Sequence, residues 1–74
     1  MPPVPAVRGG QLIKALEKAG FTTARVRGSH HVLRHPDGRT VAVPVHSARD
    51  VPPGTLRNIL RIINMTADDL RRLL

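Results

Sequence analysis

The chain has no cysteine, tryptophan or tyrosine, and one phenylalanine, Phe21, among its 74 residues. Without thiols it forms neither disulfides nor a cysteine zinc cluster, so packing and hydrogen bonding must hold a small core together. A single aromatic ring rules out the platform on which single-strand-binding proteins stack successive bases. Carboxylates are also scarce, with five Asp and Glu in all. Paired-carboxylate chemistry and cysteine nucleophiles are therefore poorly served. No apolar run reaches the length of a membrane span or a signal-peptide core, so the chain is expected to be soluble and cytoplasmic, with no membrane partner.

What the chain has in excess is positive charge. Twelve Lys and Arg give a formal net charge of +7, and ten of the twelve are arginine. The guanidinium presents a planar fork of donors that matches phosphate oxygens, and docking such a surface on nucleic acid releases counterions. A polyanion held through phosphate and sugar is the expected partner, and a surface charged merely for solubility is the alternative.

Prolines at 2, 3 and 5 make residues 1–8 an extended, flexible tail, with order beginning near Gly9. Residues 9–74 are expected to form one domain. Leu12, Ile13, Leu16 and Ala19 recur at helical spacing, with Lys14, Glu17 and Lys18 opposite and Gly20 as a stop. From Thr22 to Val45 the period becomes two, which predicts three short strands. "HPDG" at 35–38 closes the hairpin between the second and third. Val41, Val43 and Val45 alternate toward a core, and Pro44 marks an edge strand or its end. Leu56, Ile59, Leu60 and Ile63 predict a second amphipathic helix, with Arg57 and Arg61 on its outer face. Thr66 with Asp69 caps a short last helix carrying Leu70, Leu73 and Leu74. The order is that of an α+β domain: a three-stranded antiparallel sheet, helices on one face, the other face open.

All four histidines lie between His30 and His46. Neighbouring strand residues face opposite ways, so His30, Val32 and Arg34 share one face and His31, Leu33 and His35 the other. If Leu33 joins the valines in the core, His30 and Arg34 lie on the open face; burial of Val32 would reverse this. Residues four apart on a strand are about 13 Å apart, too far for His31 and His35 to share a metal, and carboxylate ligands nearby are few. No metal or cofactor is expected. A histidine among arginines suits a different chemistry, taking a proton from a ribose 2′-hydroxyl while cations stabilise charge developing on phosphate. The plainer reading is a histidine that contacts phosphate or borders an edge.

Five short motifs occur together: Ala19-Gly20-Phe21 ending a helix, Gly28-Ser29-His30 opening a strand, His35-Pro36-Asp37-Gly38, Val43-Pro44 with His46, and Pro53-Gly54-Thr55-Leu56 opening a helix. In this combination, from Gly10 to about Leu74, the chain resembles the HicA, or YcfA-like, toxins of toxin–antitoxin systems. The resemblance implies a fold similar to double-stranded RNA-binding domains, α-β-β-β-α with a short C-terminal helix. It also implies cleavage of mRNA by one strand histidine, and neutralisation by a HicB-type antitoxin. Carried onto this sequence, the Gly-Ser-His motif puts the catalytic role on His30, with His31 in reserve and Gly28 and Ser29 shaping the approach. Lys18, Arg27 and Arg34 are RNA-binding candidates by charge and location. Two other classes stay open: a non-catalytic double-stranded RNA-binding module, and an interaction subunit whose basic face docks on an acidic protein.

Overall fold

The computed structural model describes residues 3–74 and has the element order anticipated from hydrophobic periodicity. Helix α1 spans Gly9–Lys18 and buries Leu12, Ala15 and Leu16. It ends where the Gly20 N–H bonds the Glu17 carbonyl and the Phe21 N–H bonds that of Leu16, both at 3.0 Å. This reversal turns Phe21 back into the core, where it is fully buried. Helix α2, Pro53–Ile62, buries Leu56, Ile59 and Leu60. It ends in the same way, with Asn64 at φ 57° and the Met65 N–H on the Leu60 carbonyl at 2.9 Å. Helix α3, Ala67–Leu73, starts at a reciprocal cap: Thr66 Oγ1 accepts from the Asp69 N–H at 3.0 Å, and Asp69 Oδ2 accepts from the Thr66 N–H at 2.9 Å. Leu70 is the residue this helix buries.

Strands β1 (Thr22–Arg27), β2 (His30–Arg34) and β3 (Thr40–Pro44) form an antiparallel sheet in the order β1-β2-β3. Leu33 pairs with Val41, and all three of Leu33, Val41 and Val43 are buried. The helices cover this face, with α1 and α2 over β3 and α3 against α1. Strand β1 receives little cover, being exposed along its whole length, and Val26 is 55% exposed. Val45, expected in the core, lies past the end of β3 and is half-buried.

Two findings concern the start of the chain. Val7 is a core residue, its carbonyl accepting from the Val51 N–H at 2.8 Å, and Arg8 bridges Asp50 in antiparallel fashion. The expectation that order begins near Gly9 is corrected to this extent: the segment just before α1 is docked across the Asp50–Val51 backbone. Its extended form follows from the prolines, but its burial depends on a partner segment more than forty residues away in sequence. Met1 and Pro2, the beginning of the expected tail, lie outside the described residues. Gly9 itself is buried, and a Cβ on it would meet the Pro44 carbonyl oxygen and lie 2.9 Å from Val45 Cα. Only a residue without a side chain lets α1 start this close to β3.

The β2–β3 turn holds α1 and α2 by their C-terminal ends. His35 Nε2 lies 3.2 Å from the carbonyl of Ala19, the C-cap of α1, while Nδ1 accepts from the Asp37 N–H at 3.1 Å. Arg39 donates to Asp37 Oδ2 at 2.8 Å and to the carbonyl of Ile63, the C-cap of α2, at 2.6 Å. The His35 ring meets Phe21 edge-on at 5.0 Å, and the Arg39 guanidinium stands 5.1 Å from the same ring. The Arg39 backbone and side chain together hold the exposed Asp37 carboxyl below its ordinary value of 3.8.

Candidate functional site

The uncovered sheet face is assembled by pairing. His30 on β2 lies between Arg27 on β1 and Pro44 on β3; the next row is Arg25, Val32 and Ala42, and the last is Thr22, Arg34 and Thr40. Directly opposed residues project to the same side with Cβ atoms about 5 Å apart. His30 therefore shares its face with three guanidiniums, those of Arg25, Arg27 and Arg34, over a small floor of Val32, Ala42 and Pro44. All three arginines and His30 are exposed.

Two local features produce this arrangement. The first is the β1–β2 turn, in which Arg27 pairs directly with His30 and only Gly28 and Ser29 intervene. Gly28 has φ 59°, the geometry of a two-residue hairpin turn with glycine first, and L side chains avoid that region. Gly28 and Ser29 thus fix the register of the hairpin, and the Ser29 carbonyl extends the neighbouring β2–β3 pairing by accepting from the Val45 N–H at 2.7 Å. The second is a bulge between Thr23 and Arg25, which leaves Ala24 as an extra residue in β1. Strict alternation from the buried Phe21 would turn residues 23, 25 and 27 toward the helices. The extra residue reverses the count, so Arg25 and Arg27 emerge beside His30.

The other candidates are elsewhere. His31 projects to the helix side, opposite Val26 on one strand and Val43 on the other, and is half-buried at the margin where helical cover ends. Lys18 lies in the helical layer, where its Nζ donates to the Leu73 carbonyl at 3.1 Å; this caps the end of α3 and keeps Lys18 away from His30. His35 belongs to the turn described above. His46 is exposed in the connection after β3, near the start of α1, with Arg8 and Lys14 lining the same hollow. Among the described residues no three His, Asp or Glu side chains gather closely enough to hold a metal ion. Arg25 was not among the residues singled out from the sequence. Its signal is the spacing of two from Arg27, which places both on one face of a strand.

A basic α+β domain with one bare sheet face, and a histidine among arginines upon it, is the class that fold and site define. A family model described as the HicA toxin of bacterial toxin–antitoxin systems matches residues 9–65 of the 74. The chain belongs to the HicA toxin family. Comparison with curated proteins finds no match. No helix among the described residues is long and apolar enough to cross a membrane.

Proposed function

We propose that this toxin is a metal-independent endoribonuclease acting on mRNA in the cytoplasm, with His30 as general base. The observation that supports the reading is the pairing of His30 with Arg27 on a bare face that also carries Arg25 and Arg34. In this scheme His30 takes the proton of a ribose 2′-hydroxyl, and the 2′-oxygen forms a new bond to the adjacent phosphorus. The bond to the 5′-oxygen of the next nucleotide breaks, and that oxygen takes a proton from water. The products end in a 2′,3′-cyclic phosphate and a 5′-hydroxyl. Arg27, the cross-strand neighbour, neutralises charge gathering on the phosphoryl oxygens, while Arg25 and Arg34 hold flanking phosphates. The absence of aromatic rings on this face favours a grip through phosphate and sugar over base stacking. A HicB-type antitoxin of acidic character would mask such a surface by charge complementarity.

The test is cleavage of a defined RNA in the presence of EDTA by wild type, His30→Ala and His31→Ala, after circular dichroism has confirmed that all three fold. A general base contributes on the order of a hundredfold or more to rate. Loss of that size in His30→Ala, with His31→Ala active, is the expected result. The opposite pattern would assign the base to His31. RNA bound by wild type but not cut would replace the enzyme reading with that of a double-stranded RNA-binding module.

A further inference from the structure

The helical layer carries a surface that the histidine face does not use. An apolar groove of about 540 Å³ opens between α2, the α2–α3 connection and the segment before α1. Val4, Leu60, Met65 and Ala67 give it an aliphatic floor, and Arg57 and Arg61 stand at its rim one helical turn apart. Like charges at that spacing repel unless an anion lies across them. Among the described residues neither arginine has a carboxylate partner, since the ion pairs engage Asp37, Asp68 and Asp69 with other residues. Arg61 donates instead to the neutral Asn58 side chain at 2.6 Å. Gly54 leaves one end of the groove open, as a Cβ there would meet nothing within 4 Å.

The chemistry of the groove selects its occupant. A second copy would bring another +7 chain, with only Glu17 and Asp50 free of the ion pairs above, so charge opposes self-association. Nucleic acid finds no aromatic surface for a base here, and an aliphatic floor does not replace the hydration a phosphate would lose. Aliphatic side chains bordered by carboxylates fit both the floor and the rim. We infer that the groove is a docking site for an acidic amphipathic helix of a partner protein. Its aliphatic residues rest on Leu60 and Met65, and two carboxylates one turn apart bind Arg57 and Arg61. The site lies in the helical layer while His30 lies on the bare sheet face, so the partner and RNA occupy the chain independently. The inference does not depend on the ribonuclease reading.

The probe is a synthetic 16-residue peptide with leucines at i, i+3, i+4 and i+7 and glutamates alongside, titrated into the full-length ¹⁵N-labelled chain. A scrambled peptide of equal composition serves as control. Amide shifts confined to Val4 and residues 54–67 are expected, with those of Arg25–Arg34 unmoved. Affinity should fall at least tenfold in Arg57→Glu/Arg61→Glu, and also in Gly54→Leu, whose Cβ has open space around it and whose longer side chain would obstruct that end of the groove. Equal binding of the scrambled peptide, undiminished binding to Gly54→Leu, shifts centred on the sheet face, or no shifts at millimolar peptide would each overturn the inference. So would a concentration-dependent dimer in sedimentation that Gly54→Leu abolishes, which would make a second copy the occupant. Shifts of residues 54–67 caused by an oligonucleotide instead of the peptide would make it nucleic acid.

Discussion

Replacing Arg39 by alanine removes the residue that ties the β2–β3 turn to the end of α2. The guanidinium donates to the carbonyl of the buried Ile63, pairs with Asp37 and stands over Phe21. A charge-assisted hydrogen bond contributes about 1.5 kcal/mol and a partly covered cation–ring contact about 0.5–1, the solvent-screened pair with the exposed Asp37 being left out of the sum. The expected loss is therefore about 2–2.5 kcal/mol. In a domain of this size that lowers the melting temperature by on the order of 10–20 °C. Urea unfolding followed by circular dichroism should show a lower midpoint with an unchanged slope, since the surface exposed on unfolding stays nearly the same. Arg39→Lys keeps the charge but loses the planar fork, so it should recover less than half of the loss. Under the proposed ribonuclease reading, RNA binding at 25 °C should persist in both variants, because the turn lies at the far end of β2 from His30. A loss under about 0.5 kcal/mol in Arg39→Ala would refute the reasoning, reducing these contacts to those of an ordinary solvated pair.

Further expectations concern backbone approach, acid and salt. Gly9→Ala should destabilise by about 1–3 kcal/mol because its methyl group meets backbone at Pro44 and Val45, whereas Gly10→Ala, with open space around its Cβ, should stabilise α1 by up to about 1 kcal/mol; equal effects in urea unfolding would contradict the close approach. Asp37, held low chiefly by the Arg39 backbone N–H, and Asp69, held low chiefly by that of Thr66, both have folded-state values below the ordinary 3.8. Their contribution to stability is therefore present above about pH 3.8 and lost as pH falls below it. Urea midpoints should drop on going from pH 5 to pH 3, and less so in Asp37→Asn/Asp69→Asn. If Arg25, Arg27 and Arg34 each engage a phosphate, the logarithm of affinity for single-stranded RNA should fall with the logarithm of salt at a slope of about −2, shallower by about 0.7 for each arginine removed. An unchanged slope in Arg27→Ala would exclude that residue from the RNA surface.

Local pattern determined much of this protein. Helical spacing at Leu12 and Leu16 and at Leu56 and Leu60, the turn residues at 35–38, and the Thr66–Asp69 cap are short-range signals, and the helices and the β2–β3 hairpin formed where these signals lay. Alternation likewise settled that His30 and His31 face opposite ways, because the period of a strand is two. Three matters depended on tertiary structure. Which face of β2 is covered rests on Leu33 meeting Val41 and on the helices lying over β3, contacts made between segments distant in sequence. The exit of Arg25 and Arg27 beside His30 rests on the bulge at Ala24, which reconciles Phe21 anchored in the core with a two-residue turn fixed at Gly28. No residue preference announces that extra position, since it is set by the competing demands at either end of β1. The places of Lys18 at the end of α3, His35 against Ala19 and Val7 beneath Val51 are likewise settled by whichever backbone groups folding brings within hydrogen-bond reach. Residue types and spacings assigned the elements and the chemistry available to them; packing decided which charged side chains share a surface, because that depends on distances between segments that the order of residues does not contain.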